Sequence, residues 1–305
     1  MTPRHVLFVF LDGIGLGPET DANPFATLAL PAFERMAGGQ RWTAAAAPVR
    51  TPALTFVPLD ATLGVAGLPQ SGTGQAALFS GENAALAHGG HFGPYPPSTV
   101  RPLLDRSSVY ARLRRAGVAA GKMAFANAYP DRFFEAAEAR GRWTTTTFMA
   151  RSAGVRLHTS ADLAAGRALA ADLTGAGWQR LVEPALEPVS ESDAARRLVA
   201  LAHRHRFTLF EYYLTDKAGH SRDPARASEV LVSLDRFFAE LLDAFDPDHD
   251  LLVVSSDHGN IEDLGTKSHT ANPVPLAATG RGADVFARAA SLLDVTPILV
   301  EGMGE

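Results

Sequence analysis

The chain has 305 residues, of which 46% are hydrophobic and 20% charged, and this is enough apolar material for one large core. It contains no cysteine, which excludes disulfides and thiolate metal sites and is typical of a protein from the reducing cytoplasm. The net charge of −5, without any basic run, argues against nucleic acid as a partner. No apolar run approaches membrane-spanning length, so we expect no membrane association.

Three segments share one pattern, namely "HVLFVFLDG" (5–13), "FTLFEYYLTD" (207–216) and "DLLVVSSDHGN" (250–260). Each is a nearly continuous apolar run that reaches an Asp, which is typical of strands buried on both faces of a parallel sheet. Between them, residues 224–245 carry apolar side chains at helical spacing. We therefore predict an α/β fold with a mostly parallel central sheet, helices on both faces, and Asp12, Asp216 and Asp257 along the carboxyl edge where ligands bind.

The middle of the chain differs from its flanks. It begins with the Gly- and Pro-rich stretch "HGGHFGPYPPSTVRP" (88–102), and residues 85–205 carry 16 Lys and Arg against 10 Asp and Glu, whereas the rest of the chain is acidic. We predict a core of residues 1–87 and 201–305 and an inserted cap of residues 88–200, with a strand in 141–155 and a helix at 193–205. The basic side chains either keep a helical surface solvated or meet an anionic ligand.

Possible metal ligands follow the second and third apolar runs. Asp216 and His220 lie four residues apart in "LTDKAGH", a pair that alone would more often be a surface ion pair. Asp257 and His258 are adjacent in "SSDHGN", and His269 follows in "SHTANPVPL". With Asp12 and one hydroxyl, these residues give seven oxygen and nitrogen donors, which suit two divalent ions such as Mn²⁺ or Zn²⁺.

The hydroxyl is expected in "GLPQSGTGQAALFSGENA" (67–84), where a Gly-rich turn runs into an apolar helical pattern. The N-terminus of a helix favours an alkoxide or a bound phosphate, although an ordinary helix cap explains the same residues. On this argument either Ser71 or Thr73 is the reactive hydroxyl.

The five motifs, in this order, resemble those of the alkaline phosphatase superfamily, in particular the branch with cofactor-independent phosphoglycerate mutase and phosphopentomutase. The resemblance covers roughly the first 85 and the last 100 residues, and it implies a three-layer sandwich with a smaller inserted α/β cap. In that family the nucleophile stands ten residues before the Gly that closes the helix motif. Because Gly81 closes it here, the resemblance selects Ser71.

The resemblance also implies a division of the ligands and a reaction. One metal would be held by Asp12, Ser71, Asp257 and His258 and the other by Asp216, His220 and His269, and Ser71 would attack a phosphate ester to give a phosphoserine. The sequence departs from the mutases at Gln75, where they carry a His, and in a shorter insert without their substrate-binding arginines.

The resulting prediction is a two-metal phosphoryl-transfer enzyme, a phosphatase or phosphomutase, that acts on a small phosphorylated metabolite. The alternatives are a nucleotide phosphodiesterase or pyrophosphatase and a catalytically idle metal-binding relative. All seven ligand positions are filled, which favours catalysis. The sequence does not indicate an oligomeric state, a particular substrate or a role for Lys217.

Overall fold

The fold is described by a computed structural model over residues 2–183 and 185–304. The strands are β1 His5–Leu11, β2 Val49–Arg50, β3 Leu54–Leu59, β4 Met123–Phe125, β5 Ala128–Tyr129, β6 His158–Thr159, β7 Phe207–Tyr212, β8 Asp250–Ser255 and β9 Val274–Gly280. The helices are α1 Pro24–Thr27, α2 Pro31–Met36, α3 Ser71–Ser80, α4 Ala84–His88, α5 Arg101–Ser107, α6 Val109–Arg115, α7 Asp131–Arg140, α8 Thr145–Ser152, α9 Ser160–Ala164, α10 Ala176–Leu181, α11 Glu191–Ala202, α12 Leu214–Ser221, α13 Pro224–Ala244 and α14 Leu292–Met303. Two 3₁₀ helices cover Ala120–Lys122 and Ala283–Arg288.

The central sheet has seven strands in the order β2-β3-β9-β8-β1-β7-β4. Its middle is parallel, because β1 pairs in parallel with both β7 and β8, and β4 continues this arrangement beside β7. Strand β9 runs antiparallel between β8 and β3, so five of the seven strands point in one direction. The prediction of a mostly parallel sheet is confirmed.

Helices cover both faces of the sheet, which explains the continuous apolar runs of its central strands. In β1, Val6 and Phe8 pack on the side of α3, α6 and α14, whereas Leu7 and Val9 pack on the side of α2, α11 and α13. The predicted three layers are therefore present. No helix of the described residues is both long and apolar enough to cross a bilayer.

Two elements of segment 88–200, which we predicted to be a cap, pack as parts of the core. Strand β4 hydrogen-bonds to β7 in the main sheet, and α11 packs against α13. In the sequence between β4 and α11, strands β5 and β6 form a separate two-stranded sheet, and a small apolar cluster surrounds Trp178. The boundaries at residues 88 and 200 stay a prediction. Strand β4 of the core sheet, however, lies inside the segment predicted to be the cap.

The strand predicted in residues 141–155 is wrong, because Thr145–Ser152 form helix α8. Its threonines are β-branched and favour a strand in isolation. In the fold, Thr144 caps the helix by accepting a hydrogen bond from the backbone N–H of Thr147, and Thr146 donates a 2.7 Å hydrogen bond to the Glu211 carboxylate. These tertiary contacts outweigh the local propensity.

Glu211 is a buried carboxylate near the end of β7. It accepts hydrogen bonds from Thr146 Oγ1 and from Tyr129 Oη at 3.4 Å, so it joins the sheet to α8 and β5. Burial and the nearby charge of Asp12 raise the pKa of Glu211 from 4.5 to about 7, although the two hydroxyl donors oppose this shift. The folded protein therefore favours the protonated carboxyl group.

This raised pKa predicts a pH-dependent stability. Between pH 4.5 and 7 the folded state keeps the Glu211 proton that the unfolded state loses, so the free energy of unfolding falls as the pH rises through this window. Glu211→Gln cannot lose a proton there. We expect its stability relative to the wild type to rise by up to about 3 kcal/mol from pH 4.5 to pH 7.5, as measured by urea unfolding in EDTA. A difference independent of pH would contradict the assignment.

Candidate metal centre

The predicted ligands from three loops meet at the carboxyl edge of the parallel strands. Asp12 follows β1 directly, whereas Asp257 and His258 follow β8, the neighbour of β1. On the other side of β1, strand β7 leads into α12, which places Asp216 and His220 one helical turn apart. The stretch "LTDKAGH" therefore forms nearly the whole of a short helix at the sheet edge.

Ser71 is the first residue of α3, whose N-terminus points into the same region. Two glycines allow this helix to approach closely. A Cβ at Gly72 would collide with the carbonyl oxygen of Tyr95, and one at Gly74 would lie 2.9 Å from the carbonyl oxygen of Asp257. The Gly-rich sequence thus brings the helix N-terminus against the loop that carries Asp257 and His258.

Ser71 joins the first group of ligands around His258. The Nε2 atom of His258 lies 2.9 Å from Ser71 Oγ, 3.3 Å from Asp12 Oδ1 and 3.5 Å from Asp257 Oδ2. All four side chains are buried. The structure therefore brings together the four residues that the resemblance assigns to one metal.

The second group forms around Asp216. His220 Nε2 lies 3.4 Å from Asp216 Oδ2, and His269 Nε2 lies 3.5 Å from Asp216 Oδ1. The two imidazole Nε2 atoms are 3.2 Å apart. The Nδ1 atoms face backbone carbonyls, of Lys267 for His220 and of Pro69 for His269, which leaves both Nε2 atoms directed towards Asp216.

The two groups adjoin, because the rings of His258 and His269 stack with centroids 3.8 Å apart. All seven predicted ligands thus lie in one cluster. Within it, two triads place their ligand atoms within 4.8 Å of one another. These triads are Asp12, Asp257 and His258, and Asp216, His258 and His269. His258 is common to both, so the division of the ligands between two ions stays a prediction.

The donor set fits a divalent cation. The buried oxygens Asp12 Oδ1 and Asp257 Oδ2 have no hydrogen-bond partner, and an unpaired buried carboxylate oxygen is costly unless it coordinates a cation. Burial raises the pKa of Asp12 and, together with the charge of Asp12, raises that of Asp257. Oxygen and imidazole ligands without thiolate suit Mn²⁺ or Zn²⁺.

The protonation of His258 leads to a prediction. Burial lowers its pKa, but Asp257 and Asp12 outweigh this effect and raise the pKa to about 10. A metal ligand must be a neutral imidazole, so we expect Mn²⁺ binding at pH 7 to release about one proton from His258 and the affinity to increase with pH. Titration calorimetry in buffers of different ionisation enthalpy measures this release. An enthalpy independent of the buffer would contradict it.

Two other residues of the α3 motif have defined contacts. Gln75, at the position where the mutases carry a His, donates a 3.3 Å hydrogen bond from Nε2 to Asp12 Oδ2 and so orients a predicted ligand. Thr73, the alternative hydroxyl, accepts a hydrogen bond from the backbone N–H of Phe92, and its backbone N–H donates to the Phe92 carbonyl oxygen. Thr73 thus fastens the helix to a loop, whereas Ser71 faces His258.

Sequence reasoning missed Glu262, a fully buried carboxylate behind the ligands. It accepts hydrogen bonds from the backbone N–H groups of Gly15 and Asn260 at 2.9 and 2.7 Å, from Thr270 Oγ1, and from Asn272 Nδ2 at 3.1 Å. Gly15 belongs to the loop after β1, whereas Asn260, Thr270 and Asn272 belong to the loop that joins β8 to β9. Glu262 therefore holds the loop after Asp12 against the loop that carries Asp257, His258 and His269, and its closeness to "SSDHGN" was the available signal.

Asn260, the last residue of the "SSDHGN" motif, connects two of the ligand-bearing segments. Its Nδ2 donates to the Oδ1 atom of Asp216 at 2.6 Å and to the Asp216 carbonyl oxygen at 3.0 Å. This contact couples the loop after β8 to α12. Asn260 thus orients the carboxylate around which the second group of ligands forms.

Residues 185–304, which include five of the seven predicted ligands, match the family model described as the metalloenzyme superfamily. Over this segment the chain is similar to that superfamily. Among curated members, the 2,3-bisphosphoglycerate-independent phosphoglycerate mutase of Cereibacter sphaeroides is 30% identical over 124 residues, which are 38% of this chain and 24% of that enzyme. The phosphopentomutase of Chromohalobacter salexigens is 42% identical over 64 residues, or 21% and 15% of the two chains.

Solved structures extend the likeness to the whole fold. The alkaline phosphatase of the Antarctic bacterium TAB5 superposes with a TM-score of 0.58 at 12% identity and 99% coverage of both chains. The phosphoglycerate mutase of Leishmania mexicana gives 0.50 at 13% identity, with 100% and 96% coverage. The sequence-based resemblance is confirmed. The sequence matches above span a quarter or less of those relatives, so they leave the reaction of this chain open.

Proposed function

We propose that the chain is a two-metal phosphoryl-transfer enzyme that acts on a small phosphorylated metabolite through a phosphoserine at Ser71. The observation that carries this proposal is the position of Ser71 Oγ, at a helix N-terminus and 2.9 Å from His258 Nε2. Two buried carboxylate oxygens without hydrogen-bond partners belong to the same cluster. A nucleophile, an anion-binding helix end and cation ligands are thereby combined in one place.

The chain's own residues can perform a defined part of the reaction. Ser71 Oγ forms a bond to phosphorus as the ester P–O bond breaks, the hydroxyl loses its proton, and the leaving oxygen gains one. The free N–H groups at the start of α3 face the developing negative charge of the phosphoryl group. Gln75 and Asn260 hold the Asp12 and Asp216 carboxylates in place.

The predicted ligands would hold two divalent ions, Mn²⁺ or Zn²⁺, with Asp12, Ser71, Asp257 and His258 on one and Asp216, His220 and His269 on the other. Bound there, the ions would supply charge neutralisation and a lowered hydroxyl pKa. The phosphoserine can then pass its phosphoryl group to water, which makes a phosphatase, or back to another hydroxyl of the retained substrate, which makes a mutase.

The proposal is tested by turnover of an aryl phosphate monoester and an aryl phosphate diester with Mn²⁺ or Zn²⁺, followed by a panel of sugar phosphates. Release of phosphate from the monoester supports a phosphatase, and an isomerised sugar phosphate without free phosphate supports a mutase. Preference for the diester would favour a nucleotide phosphodiesterase. Binding of metals without any turnover would mean a catalytically idle relative and would refute the proposal.

A further inference from the structure

A cleft of about 1060 Å³ lies beside the predicted metal site, between α13, α12 and the segment that carries α10. Five of the side chains that line it are cationic, namely Arg132, Arg180, Lys217, Arg226 and Arg236. Three lining side chains, Asp172, Glu191 and Glu229, are acidic. Positive charge is therefore in excess, although the chain as a whole has a net charge of −5.

The acidic side chains do not neutralise this charge. Asp172 accepts hydrogen bonds from the backbone N–H groups of Gly175 and Gly177, at 3.0 and 2.6 Å, and Glu191 accepts one from Ser233 Oγ at 2.9 Å. Within residues 2–183 and 185–304, none of the five cationic side chains forms an ion pair with a carboxylate. By contrast, Arg196 on α11 pairs with both Asp193 and Glu240.

Helix α12 connects the cleft to the metal site. Asp216 faces the imidazoles of His220 and His269, whereas the adjacent Lys217 lines the cleft, with its Nζ 4.4 Å from the ring centre of Tyr213. Lys217, which had no role at the sequence level, thus belongs to the cleft.

We propose that this cleft binds the non-reacting anionic part of the substrate, such as a second phosphate group. This inference deepens the proposed function and rests on it: the reacting phosphoryl group would lie at Ser71 while the cationic side chains hold the other end. The cleft is lined by guanidinium groups from two elements, Arg180 on α10 and Arg226 and Arg236 on α13, and such groups bind phosphate oxygens well. The size of the cleft accommodates an organic body between the two groups.

The experiment separates the cleft from the metal site by using the metal-free protein and inorganic tripolyphosphate. In EDTA the predicted metal site holds no divalent cation that could bind the polyanion, and variants of the cleft show whether binding takes place there. We expect calorimetry in EDTA to show binding that weakens at least about 10-fold in the double variant Arg226→Gln/Arg236→Gln. The matched control, Arg114→Gln/Arg115→Gln, removes two exposed charges from α6 on the opposite face and should leave the affinity within about 2-fold.

The outcomes are distinct. No binding of tripolyphosphate, or equal weakening in both double variants, overturns the cleft as an anion site. A separate titration of the Mn²⁺-loaded wild type with inorganic phosphate tests the proposed function. If phosphate fails to bind there while tripolyphosphate binds the cleft, the two-metal function is wrong and the anion site stands. Thermal unfolding of every variant establishes that a lost signal is not a loss of the fold.

Discussion

Ser71→Ala is expected to lower kcat for phosphate-ester turnover by at least about 10³-fold, because it removes the atom proposed to bond to phosphorus. The change removes a hydroxyl from the first turn of α3 and leaves the carboxylates and imidazoles that we predict to bind metal in place. Mn²⁺ binding should therefore weaken far less than turnover does. Steady-state kinetics and titration calorimetry on the same preparation separate the two effects, and mass spectrometry of the wild type quenched during turnover should locate phosphate on Ser71.

Thr73→Val is the matched control, because Thr73 is the other hydroxyl that the sequence allows. Its Oγ1 accepts a 3.1 Å hydrogen bond from the backbone N–H of Phe92, so its loss should cost about 1 kcal/mol of stability. We expect kcat to stay within a few-fold of the wild type. If Thr73→Val abolishes turnover and Ser71→Ala does not, the nucleophile has been assigned to the wrong residue.

Much of the core could be predicted because strand burial and strand ends leave local signals. The continuous apolar runs of β1, β7 and β8 reflect two buried faces, and Asp12, Asp216 and Asp257 follow these runs directly. Since parallel strands bring their carboxyl ends to one edge, three residues distant in sequence could be expected to meet. The observed cluster agrees with this expectation.

Other features depend on tertiary contacts that leave no local pattern. The threonines of α8 favour a strand in isolation, and they form a helix because Thr146 reaches the Glu211 carboxylate on β7. Glu262 resembles any acidic loop residue until the fold places four donors around it. The cleft likewise combines Arg132 and Arg226 from segments far apart in the chain. In each case the partner lies tens of residues away or on another element.

Asp257→Asn is expected to affect stability and metal binding in opposite directions. Asp257 is completely buried, its Oδ2 has no hydrogen-bond partner, and burial together with Asp12 raises its pKa well above the usual range. Without metal, the folded protein therefore opposes its ionisation, and a neutral amide should stabilise the metal-free protein at pH 8 by about 1–3 kcal/mol. The same change removes a carboxylate ligand, so the stabilisation that Mn²⁺ gives the wild type should be largely lost.

Asp250→Asn, at the start of the strand that leads to Asp257, provides the matched control. Asp250 is also buried, at the start of β8, but its carboxylate lies 2.7 Å from His203 Nε2. Removing a partnered buried charge should lower the free energy of unfolding and leave the Mn²⁺-dependent gain intact. Urea unfolding in EDTA and in excess Mn²⁺ gives both quantities for each variant. If Asp257→Asn destabilises the metal-free protein and still gains stability from Mn²⁺, its carboxylate serves the fold rather than a metal ion. Opposite signs for these two Asp→Asn substitutions would distinguish a carboxylate that binds a metal ion from one that stabilises the fold through a histidine partner.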